Sequence, residues 1–211
     1  MSYFRVKRIL DILLSLLGLI LLSPFFIMII MAIKFMNSYS LLFNSKGPVL
    51  FKQKRIGIHK TNFDILKFRT MRIDTPKDIP THLLENPDQW ITKVGKFLRR
   101  TSLDELPQII NILKGEMSII GPRPALWNQF DLIKERDKHG ANDIKPGLTG
   151  WAQINGKAKF DGEYVEKLGF VMDIKCFVMT VISVFKSDGV LEGGTGSLEQ
   201  HKVHDVKETI S

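Results

Sequence analysis

Two adjacent carboxylates, Asp104 and Glu105, are the residues most suited to chemistry in this sequence. They lie in the stretch TSLDELPQ, in a chain whose formal net charge is +8. A carboxylate in the first turn of a helix is stabilised by the helix dipole by about 0.3–1 kcal/mol. With Arg99 and Arg100 just before it, such a group stays ionised at neutral pH. A carboxylate nucleophile and a ligand of a hard metal ion both need that ionised form.

The same stretch also predicts a purely structural role for the acids. Ser102 and Glu105 match the S-x-x-E capping box, in which the serine caps the helix and the glutamate bonds back to it. Apolar residues then follow at helical spacing, and Gly115 closes the predicted helix. The pattern alone favours this structural role and leaves the catalytic role as the alternative.

Two cations lie together on a predicted strand. VLFKQKRIG and FDILKFRTM alternate as strands, with a short polar turn between them at 59–62. Alternation places Lys67 and Arg69 on one face of the second strand. Two cations on one strand face are usually a solvated surface, and the alternative is a phosphate-binding role.

Other chemistry lacks its sequence signature. The chain contains no Walker loop, no dinucleotide fingerprint, no C-x-x-C and no nucleophile elbow. Cys176 is the single cysteine, so an internal disulfide is excluded and a reducing compartment is expected. The basic balance indicates anionic partners, which could be nucleic acid, anionic lipid or phosphorylated small molecules. Nucleic acid is disfavoured because no aromatic residues interleave with a basic stripe.

An apolar segment near the N-terminus predicts a membrane element. Ile9–Ile33 contains one charge, Asp11, and its length of roughly 25 residues is enough for a membrane helix. Lysine and arginine flank it on both sides, which by the positive-inside rule assigns both ends to the cytoplasm. Ser23 and Pro24 lie near its middle, where a proline breaks a helix. We therefore predict a re-entrant helix-break-helix, with a simple spanning helix as the alternative.

The remaining chain predicts a small, mostly helical α/β (α+β) catalytic domain with a short β-hairpin. We expect helices at 91–100, from Ser102 to Gly115, and at about 125–139. The stiff loop IGPRP restricts Arg123, and the glycine-rich loop around Gln153 is typical of a ligand site. The apolar stretch IKCFVMTVISVF predicts a further helix, packed in the core or lying on the membrane surface. The predicted boundaries are 1–36 for the membrane element, 37–186 for the catalytic domain and 187–211 for a flexible tail.

Taken together, five segments resemble the bacterial sugar transferases, the monotopic polyprenyl-phosphate phosphoglycosyl transferases. They are KRILDILLSLLGLILLSP, GPVLFKQKRIG, FDILKFRTM, LRRTSLDELPQIINILKGEMSIIGPRP and KPGLTGWAQING, in that order. The resemblance covers most of the chain from Lys7 to Val184. It departs from the family pattern after Gly156, where the usual arginine is replaced by Lys157 or deleted and a loop is shortened.

This resemblance implies a reaction and a role for each candidate residue. Asp104 is implied as the nucleophile that attacks the β-phosphate of a nucleotide sugar, and Glu105 as a ligand of Mg²⁺. A group of further residues is implied to contact phosphates or to lie near the site, and these are Lys67, Arg69, Arg99, Arg123 and Gln153. Ser23 and Pro24 are implied to form the break of the re-entrant helix.

The expected function is transfer of a sugar 1-phosphate from a UDP-sugar to undecaprenyl phosphate, with release of UMP. This reaction initiates a surface polysaccharide or glycan, such as a capsule. We expect it at the inner membrane, on its cytoplasmic face, with membrane lipid and no nucleic acid as a partner. The sequence identifies neither the sugar nor the oligomeric state. The rival hypothesis is a non-catalytic basic membrane adaptor that binds anionic lipid or a glycan-assembly partner, and it predicts no UMP release.

Overall fold

The computed structural model describes residues 2–39, 47–76, 86–155 and 159–185. The chain divides into two compact units, one formed by residues 1–55 and 62–117 and the other by residues 56–61 and 118–211. The predicted tail lies outside the described residues, as does the segment 156–158 where the family pattern is interrupted. The predicted boundaries after residues 36 and 186 stay a prediction.

The elements confirm a mostly helical chain with a small amount of sheet. In chain order they are α1 (Tyr3–Tyr39), β1 (Leu50–Ile56), β2 (Asn62–Phe68), α2 (Lys93–Arg100), α3 (Gln108–Lys114), β3 (Ser118–Ile120), α4 (Phe130–Asp137), β4 (Gly147–Thr149), α5 (Trp151–Asn155), α6 (Lys159–Glu166) and α7 (Phe170–Phe185). Strands β1 and β2 form one two-stranded sheet and β3 and β4 form another. The predicted hairpin is therefore present, and the short β3–β4 pair is an addition to it.

Helical structure in α1 continues through Ser23 and Pro24, so these residues do not end the helix, and the re-entrant break predicted there stays a prediction. Proline has no N–H to donate to the carbonyl four residues earlier, which is that of Ile20. The hydroxyl of Ser23 donates to this same Ile20 oxygen at 2.8 Å. The serine therefore replaces the bond that the proline removes, and the helix does not end there.

One face of α1 packs on the first unit along most of the helix length. Arg8 donates to the carbonyl oxygens of Ile112 and Leu113, the latter at 2.7 Å, at the C-terminal end of α3. Towards the other end of α1, Ile29 and Ile33 are buried in a cluster with β2 and α2. Contacts with the unit thus occur on both sides of Pro24.

The opposite face of α1 is apolar and exposed. Its large side chains include Leu13, Leu17, Ile20, Leu21, Phe25, Met28, Met31 and Phe35. The segment Tyr3–Phe35 is long and apolar enough to cross a membrane by length and composition, and 11% of its most apolar window is buried. Since so little of it is covered by protein, the segment fits a lipid-facing helix better than a core helix of a soluble protein.

The core of the first unit joins α1 to the elements that carry the acid pair. Phe68 of β2 and Leu98 of α2 are almost completely buried with the two isoleucines of α1. Phe26 lies edge-on to Phe68, with ring centroids 5.4 Å apart. Burial of such aromatic and aliphatic side chains stabilises a unit by about 1.5–3 kcal/mol each, so this cluster fixes β2 and α2 relative to α1.

The predicted capping box at Ser102 is wrong. Ser102 has a left-handed backbone (φ 55°) and makes no side-chain capping bond. Its N–H bonds to the carbonyl of Arg99, and its own carbonyl accepts from the N–H of Glu105, so it joins the end of α2 at Thr101 to the turn that follows. The acids lie in a short 3₁₀ turn, Leu103–Glu105, and α3 begins only at Gln108.

The second unit is built around the parallel β3–β4 pair. Ser118 pairs with Gly147, and Ile120 pairs with Thr149. The predicted helix at 125–139 starts later than expected, at Phe130, because Gln129 folds back to accept a hydrogen bond from the N–H of Leu126. Arg136 of α4 and Asp161 of α6 form a buried ion pair at 2.6 Å, which ties these two helices together.

Helix α7 has a buried face and an exposed apolar face. Met172 and Cys176 are buried, and Thr180 bonds to Thr149 of β4 at 2.8 Å. On the other side the helix exposes Phe170, Val171, Ile174, Phe177, Val178, Val181 and Ile182. Core packing therefore accounts for only one side of this helix.

Candidate active site

The acid pair lies in a tight turn between α2 and α3, and strand β2 contacts the same turn. Asp104 is 5% exposed, which is unusual for an aspartate unless it is paired or hydrogen-bonded. A buried carboxylate keeps its orientation, because packing restricts its side-chain torsions. The turn therefore presents Asp104 in one defined position.

Glu105 forms a close ion pair with Lys67. The Lys67 Nζ atom lies 2.7 Å from Glu105 Oε1, and the two side chains are 13% and 18% exposed. A charge-assisted hydrogen bond of this length in a half-buried place is stronger than an ordinary surface pair. The pair sets a cation directly beside the acid that follows Asp104.

Asn111 fixes the strand that carries Lys67 to the helix that follows the acids. Its Oδ1 accepts from the N–H of Leu66 at 3.0 Å, and its Nδ2 donates to the carbonyl of Asp64 at 2.8 Å. Nδ2 also donates to Glu116 Oε2 at 2.7 Å. The side chain is fully buried. The amide side chain thus bonds to the backbone of β2 as a neighbouring strand would, and one of these bonds is to the residue just before Lys67.

Arg99 is held at the end of β2 by a close approach of α2. Its Nε donates to Thr70 Oγ1 at 3.0 Å. The carbonyl of Thr70 accepts from the N–H of Thr92, just before α2. A Cβ atom at Gly95 would lie 2.0 Å from that carbonyl oxygen, so only glycine allows the helix to lie this close.

Arg69 lies half-buried beside the start of β1. Its Nε donates to the carbonyl of Pro48 at 2.8 Å, and its guanidinium carbon lies 5.8 Å from the centroid of the Phe51 ring. Burial lowers the pKa of the Arg69 guanidinium below its ordinary value. Three of the four predicted phosphate residues, Lys67, Arg69 and Arg99, thus lie on or next to the segment 67–70 of the first unit.

Arg123 and Gln153 belong to the second unit. The loop that carries Arg123 is fixed backbone to backbone, because Gly147 N–H donates to the carbonyl of Pro122 at 2.9 Å. Gly121 N–H donates to the carbonyl of Thr149, also at 2.9 Å. Gln153 Nε2 donates to the carbonyl of Leu148 at 3.2 Å, and its Oε1 is buried without a partner among the described residues. A role of these two residues at the acid pair stays a prediction.

The acid pair suits a magnesium ion by its chemistry. Within the described ranges no group of three or more His, Cys, Asp or Glu side chains gathers as a complete protein site. Mg²⁺ does not need one, since it is typically held by one or two carboxylates, waters and substrate phosphates. Asp104 and Glu105 supply oxygen ligands of that kind, and no described residue near them supplies a sulfur ligand.

Three residues of this region were missed by sequence reasoning. Thr70 orients Arg99, Asn111 fixes β2, and Ser102 reverses the chain before the acids. An asparagine within a helix carries no local signal for a bond to a strand 45 residues away. A serine is also an uncommon residue for a left-handed position, where glycine or asparagine is the usual indicator.

Comparison with known proteins agrees with this geometry. The model of the family described as bacterial sugar transferase matches residues 2–187. The chain is 42% identical over 153 residues to the sugar transferase EpsL of Bacillus subtilis, which covers 68% of this chain and 73% of that protein. It is 33% identical over 205 residues to the exopolysaccharide production protein ExoY of Sinorhizobium fredii, covering 87% of each chain.

A third relative names a reaction. The chain is 40% identical over 200 residues to the UDP-glucose:undecaprenyl-phosphate glucose-1-phosphate transferase of Escherichia coli. That alignment covers 85% of this chain but 40% of the relative, so the chain spans about two fifths of that protein's length. On the extent of the family match and of these identities, the chain belongs to the bacterial sugar transferase family and is a transferase.

Proposed function

We propose that this chain transfers a sugar 1-phosphate from a UDP-sugar to undecaprenyl phosphate through a covalent aspartyl intermediate. The observation that carries the proposal is the buried Asp104 beside the Lys67–Glu105 ion pair, in a chain of the sugar transferase family. The names of several relatives specify undecaprenyl phosphate and glucose 1-phosphate, which supports the same substrate classes here. The product would begin the assembly of a surface polysaccharide.

The reaction proceeds in two displacements at one phosphorus atom. A carboxylate oxygen of Asp104 attacks the β-phosphorus of the UDP-sugar. The bond from this phosphorus to the bridging oxygen breaks, and its electron pair leaves with UMP. A phosphate oxygen of undecaprenyl phosphate then attacks the same phosphorus. The acyl-phosphate bond to Asp104 breaks, so the carboxylate is restored and a lipid-linked diphosphate sugar is released.

Lys67 and Glu105 are proposed to stabilise the negative charge on the phosphate oxygens during this reaction. Glu105 would hold Mg²⁺, which when bound neutralises negative charge on diphosphate oxygens. The ammonium of Lys67 is already beside Glu105 at 2.7 Å, so it can also approach a phosphate there. The fixed turn and the packed strand keep both groups in place before the substrate arrives, which is the preorganisation that phosphoryl transfer depends on.

We assign supporting roles to the remaining candidate residues. Arg69 and Arg99 are proposed to bind phosphate oxygens, because they flank Thr70 close to Lys67. Arg123 and Gln153 are proposed as substrate-binding residues on their motifs in the sequence.

A re-entrant helix at the cytoplasmic face of the inner membrane fits the packing of α1. A straight spanning helix would have one end on the far side of the membrane, so only the other end could contact the protein. Helix α1 instead contacts the first unit at Arg8 and again at Ile29 and Ile33. Its basic flanks both favour the cytoplasm. We therefore propose that α1 enters the bilayer by its exposed apolar face and does not cross it, and that α7 lies on the membrane surface by its own exposed face.

Intact-protein mass measurement after incubation with a UDP-sugar and Mg²⁺, without lipid, tests the reaction. UDP-glucose is the first donor to try, followed by a panel of UDP-sugars. Wild-type protein is expected to release UMP and gain the mass of a phospho-sugar, and later addition of undecaprenyl phosphate removes that mass. Asp104→Asn is expected to fold and gain nothing, whereas the matched control Asp131→Asn, on the exposed surface of α4, behaves as wild type.

Two outcomes would refute parts of this proposal. A phospho-sugar on the Asp104→Asn variant excludes Asp104 as the nucleophile. Absence of UMP release with every UDP-sugar favours the adaptor hypothesis over the transferase reaction. Glu105→Gln distinguishes the metal role, since it is expected to slow adduct formation and to weaken its dependence on Mg²⁺ without abolishing the adduct.

A further inference from the structure

The outer surface of helix α2 combines three cations with one exposed aromatic ring. Lys93, Lys96, Phe97 and Arg100 follow one another at spacings that place them on one helix face. All four are exposed, and Phe97 is 52% exposed. We refer to these four residues as the α2 face. Burial of a phenylalanine side chain is favourable, so a surface that covers this ring gains binding energy from it.

The order of side chains around α2 relates this face to α1. Successive residues on a helix are about 100° apart, so Phe97 lies between the cations and Val94. Val94 packs against the cluster that contains Ile29 and Ile33 of α1. Going around α2, one therefore meets the side that packs on α1, then the ring of Phe97, then the cations.

This sequence of surfaces matches the layers of a lipid bilayer. Aliphatic side chains belong in the hydrocarbon, aromatic rings are enriched at the membrane–water interface, and lysine and arginine lie at the level of the headgroups. We propose that the α2 face is a second membrane contact that binds anionic lipid headgroups, with Phe97 inserted at the interface. The inference uses the membrane location of α1 from the proposed function and does not depend on the reaction.

The neighbouring charges are compatible with this role. Lys96 Nζ lies 3.1 Å from Asp88 Oδ1, and the two side chains are 56% and 84% exposed. An exposed pair of this kind contributes little to stability, so a phosphate headgroup can compete for the lysine. Arg99 points elsewhere, to Thr70, so the α2 face is separate from the phosphate residues of the candidate active site.

A site-specific label tests the position of Phe97 in the full-length protein. Cys176 is the single cysteine and is buried, so a cysteine introduced at the surface is labelled selectively. Phe97→Cys and, as a matched control on the same unit, Asn62→Cys are labelled with an environment-sensitive fluorophore and reconstituted into phosphatidylcholine bilayers containing phosphatidylglycerol. Brominated lipid is expected to quench the label at position 97 and not the label at position 62.

Charge neutralisation tests the headgroup contact. The α2-face variant carries Lys93→Gln, Lys96→Gln and Arg100→Gln. The control variant removes the same number of charges from other exposed sites of the first unit, by Lys52→Gln, Lys54→Gln and Lys114→Gln. Each protein is delivered from detergent to a mixture of phosphatidylcholine vesicles and phosphatidylglycerol-containing vesicles, and the distribution between the two populations is measured.

Each cation near an anionic surface changes the preference for it by about fivefold. The α2-face variant is therefore expected to lose up to about 100-fold of the preference for anionic vesicles, and raising the salt concentration should reduce the wild-type preference in the same direction. The control variant should keep most of it. Adduct formation from the UDP-sugar in solution is measured on Lys93→Gln, Lys96→Gln without Arg100→Gln, because Arg100 precedes the acid pair, and on the control variant; it is expected to be unchanged in both, which separates this test from that of the reaction.

Three outcomes would overturn the inference. The label at position 97 could be as accessible to water as the label at position 62. The two charge variants could lose the same preference, which would indicate net charge and not a defined face. Lastly, the α2 face could bind an acidic protein in solution while its label stays unquenched by lipid, which would assign the surface to a protein partner.

Discussion

Replacing Asn111 with alanine would remove the side-chain hydrogen bonds that hold β2 against α3. The Lys67–Glu105 pair depends on this contact, because Lys67 lies on β2 and Glu105 lies just before α3. The amide of Asn111 makes three hydrogen bonds, at 3.0, 2.8 and 2.7 Å. The N–H of Leu66 is left without this partner in a buried place, and an unsatisfied buried group costs about 1–3 kcal/mol. Asp64 is exposed, so its carbonyl can bind water instead.

Together these losses predict destabilisation by about 2–4 kcal/mol. For a chain of this size, each kcal/mol shifts the melting temperature by roughly 2–4 °C, so we expect a decrease of about 4–16 °C. The assay is thermal unfolding in detergent, followed by the rate of phospho-sugar adduct formation well below the new melting temperature. That rate is expected to fall, because β2 no longer holds Lys67 in register with the acid pair.

A matched control is Asn142→Ala, another buried amide, which bonds to Ile133 and Asp137 in the second unit. It should lower the melting temperature without slowing adduct formation. Asn111→Asp keeps an acceptor for Leu66 N–H but places an anion beside Glu116, so we expect it to be no more stable than Asn111→Ala. A melting temperature unchanged in Asn111→Ala, or equal loss of adduct rate in both asparagine variants at matched stability, would refute the reasoning.

Three further predictions concern the same unit. Lys67→Met should lower both stability and the rate of adduct formation, because it leaves the Glu105 carboxylate unpaired. The double variant Lys67→Met, Glu105→Gln should regain stability but not activity, since it removes that carboxylate. Unfolding and adduct assays on the single and double variants measure this. Gly95→Ala should destabilise by about 1–3 kcal/mol, since its Cβ meets the Thr70 carbonyl, and thermal unfolding would contradict this if stability were unchanged. Ser102→Gly should be more stable than the wild type by up to about 1 kcal/mol because glycine relieves the left-handed backbone, whereas loss of a capping serine would make it less stable in the same unfolding assay.

Local patterns predicted the elements of the first unit well, and they failed in detail where a short-range hydrogen bond or a backbone conformation decides. Alternation predicted the β1–β2 hairpin, and the apolar run predicted α1, because both depend on periodicity within the segment. Helical structure continues through Pro24 because Ser23, one residue away, bonds to the carbonyl that the proline leaves free, and the re-entrant geometry at this point stays a prediction. The pattern S-x-x-E was read as a capping box, although its serine has a left-handed backbone and makes no side-chain capping bond.

In the candidate site, too, local sequence predicts some residues and misses the contacts between distant ones. Asp104 and Glu105 could be identified from the sequence, and the Lys67–Glu105 contact was not foreseen as a direct pair. Lys67 lies 38 residues before Glu105, and no periodicity connects residues at that separation. The bond from Asn111 to β2 is likewise long-range, so only the folded chain brings these groups together.

The hydrogen bonds from Arg8 to the end of α3 also limit how early during its synthesis this protein can finish folding. Arg8 and its two acceptors are 104 and 105 residues apart in the chain. At about 5–20 residues per second, the ribosome needs roughly 5–20 s to make the acceptors after the arginine has been made. During that delay the apolar α1 is already complete and has no folded unit to bind. With α1 at the membrane as proposed, contact with lipid would protect it from aggregation during this delay, and we expect attachment to the membrane to precede the docking of α3 and the assembly of the candidate site.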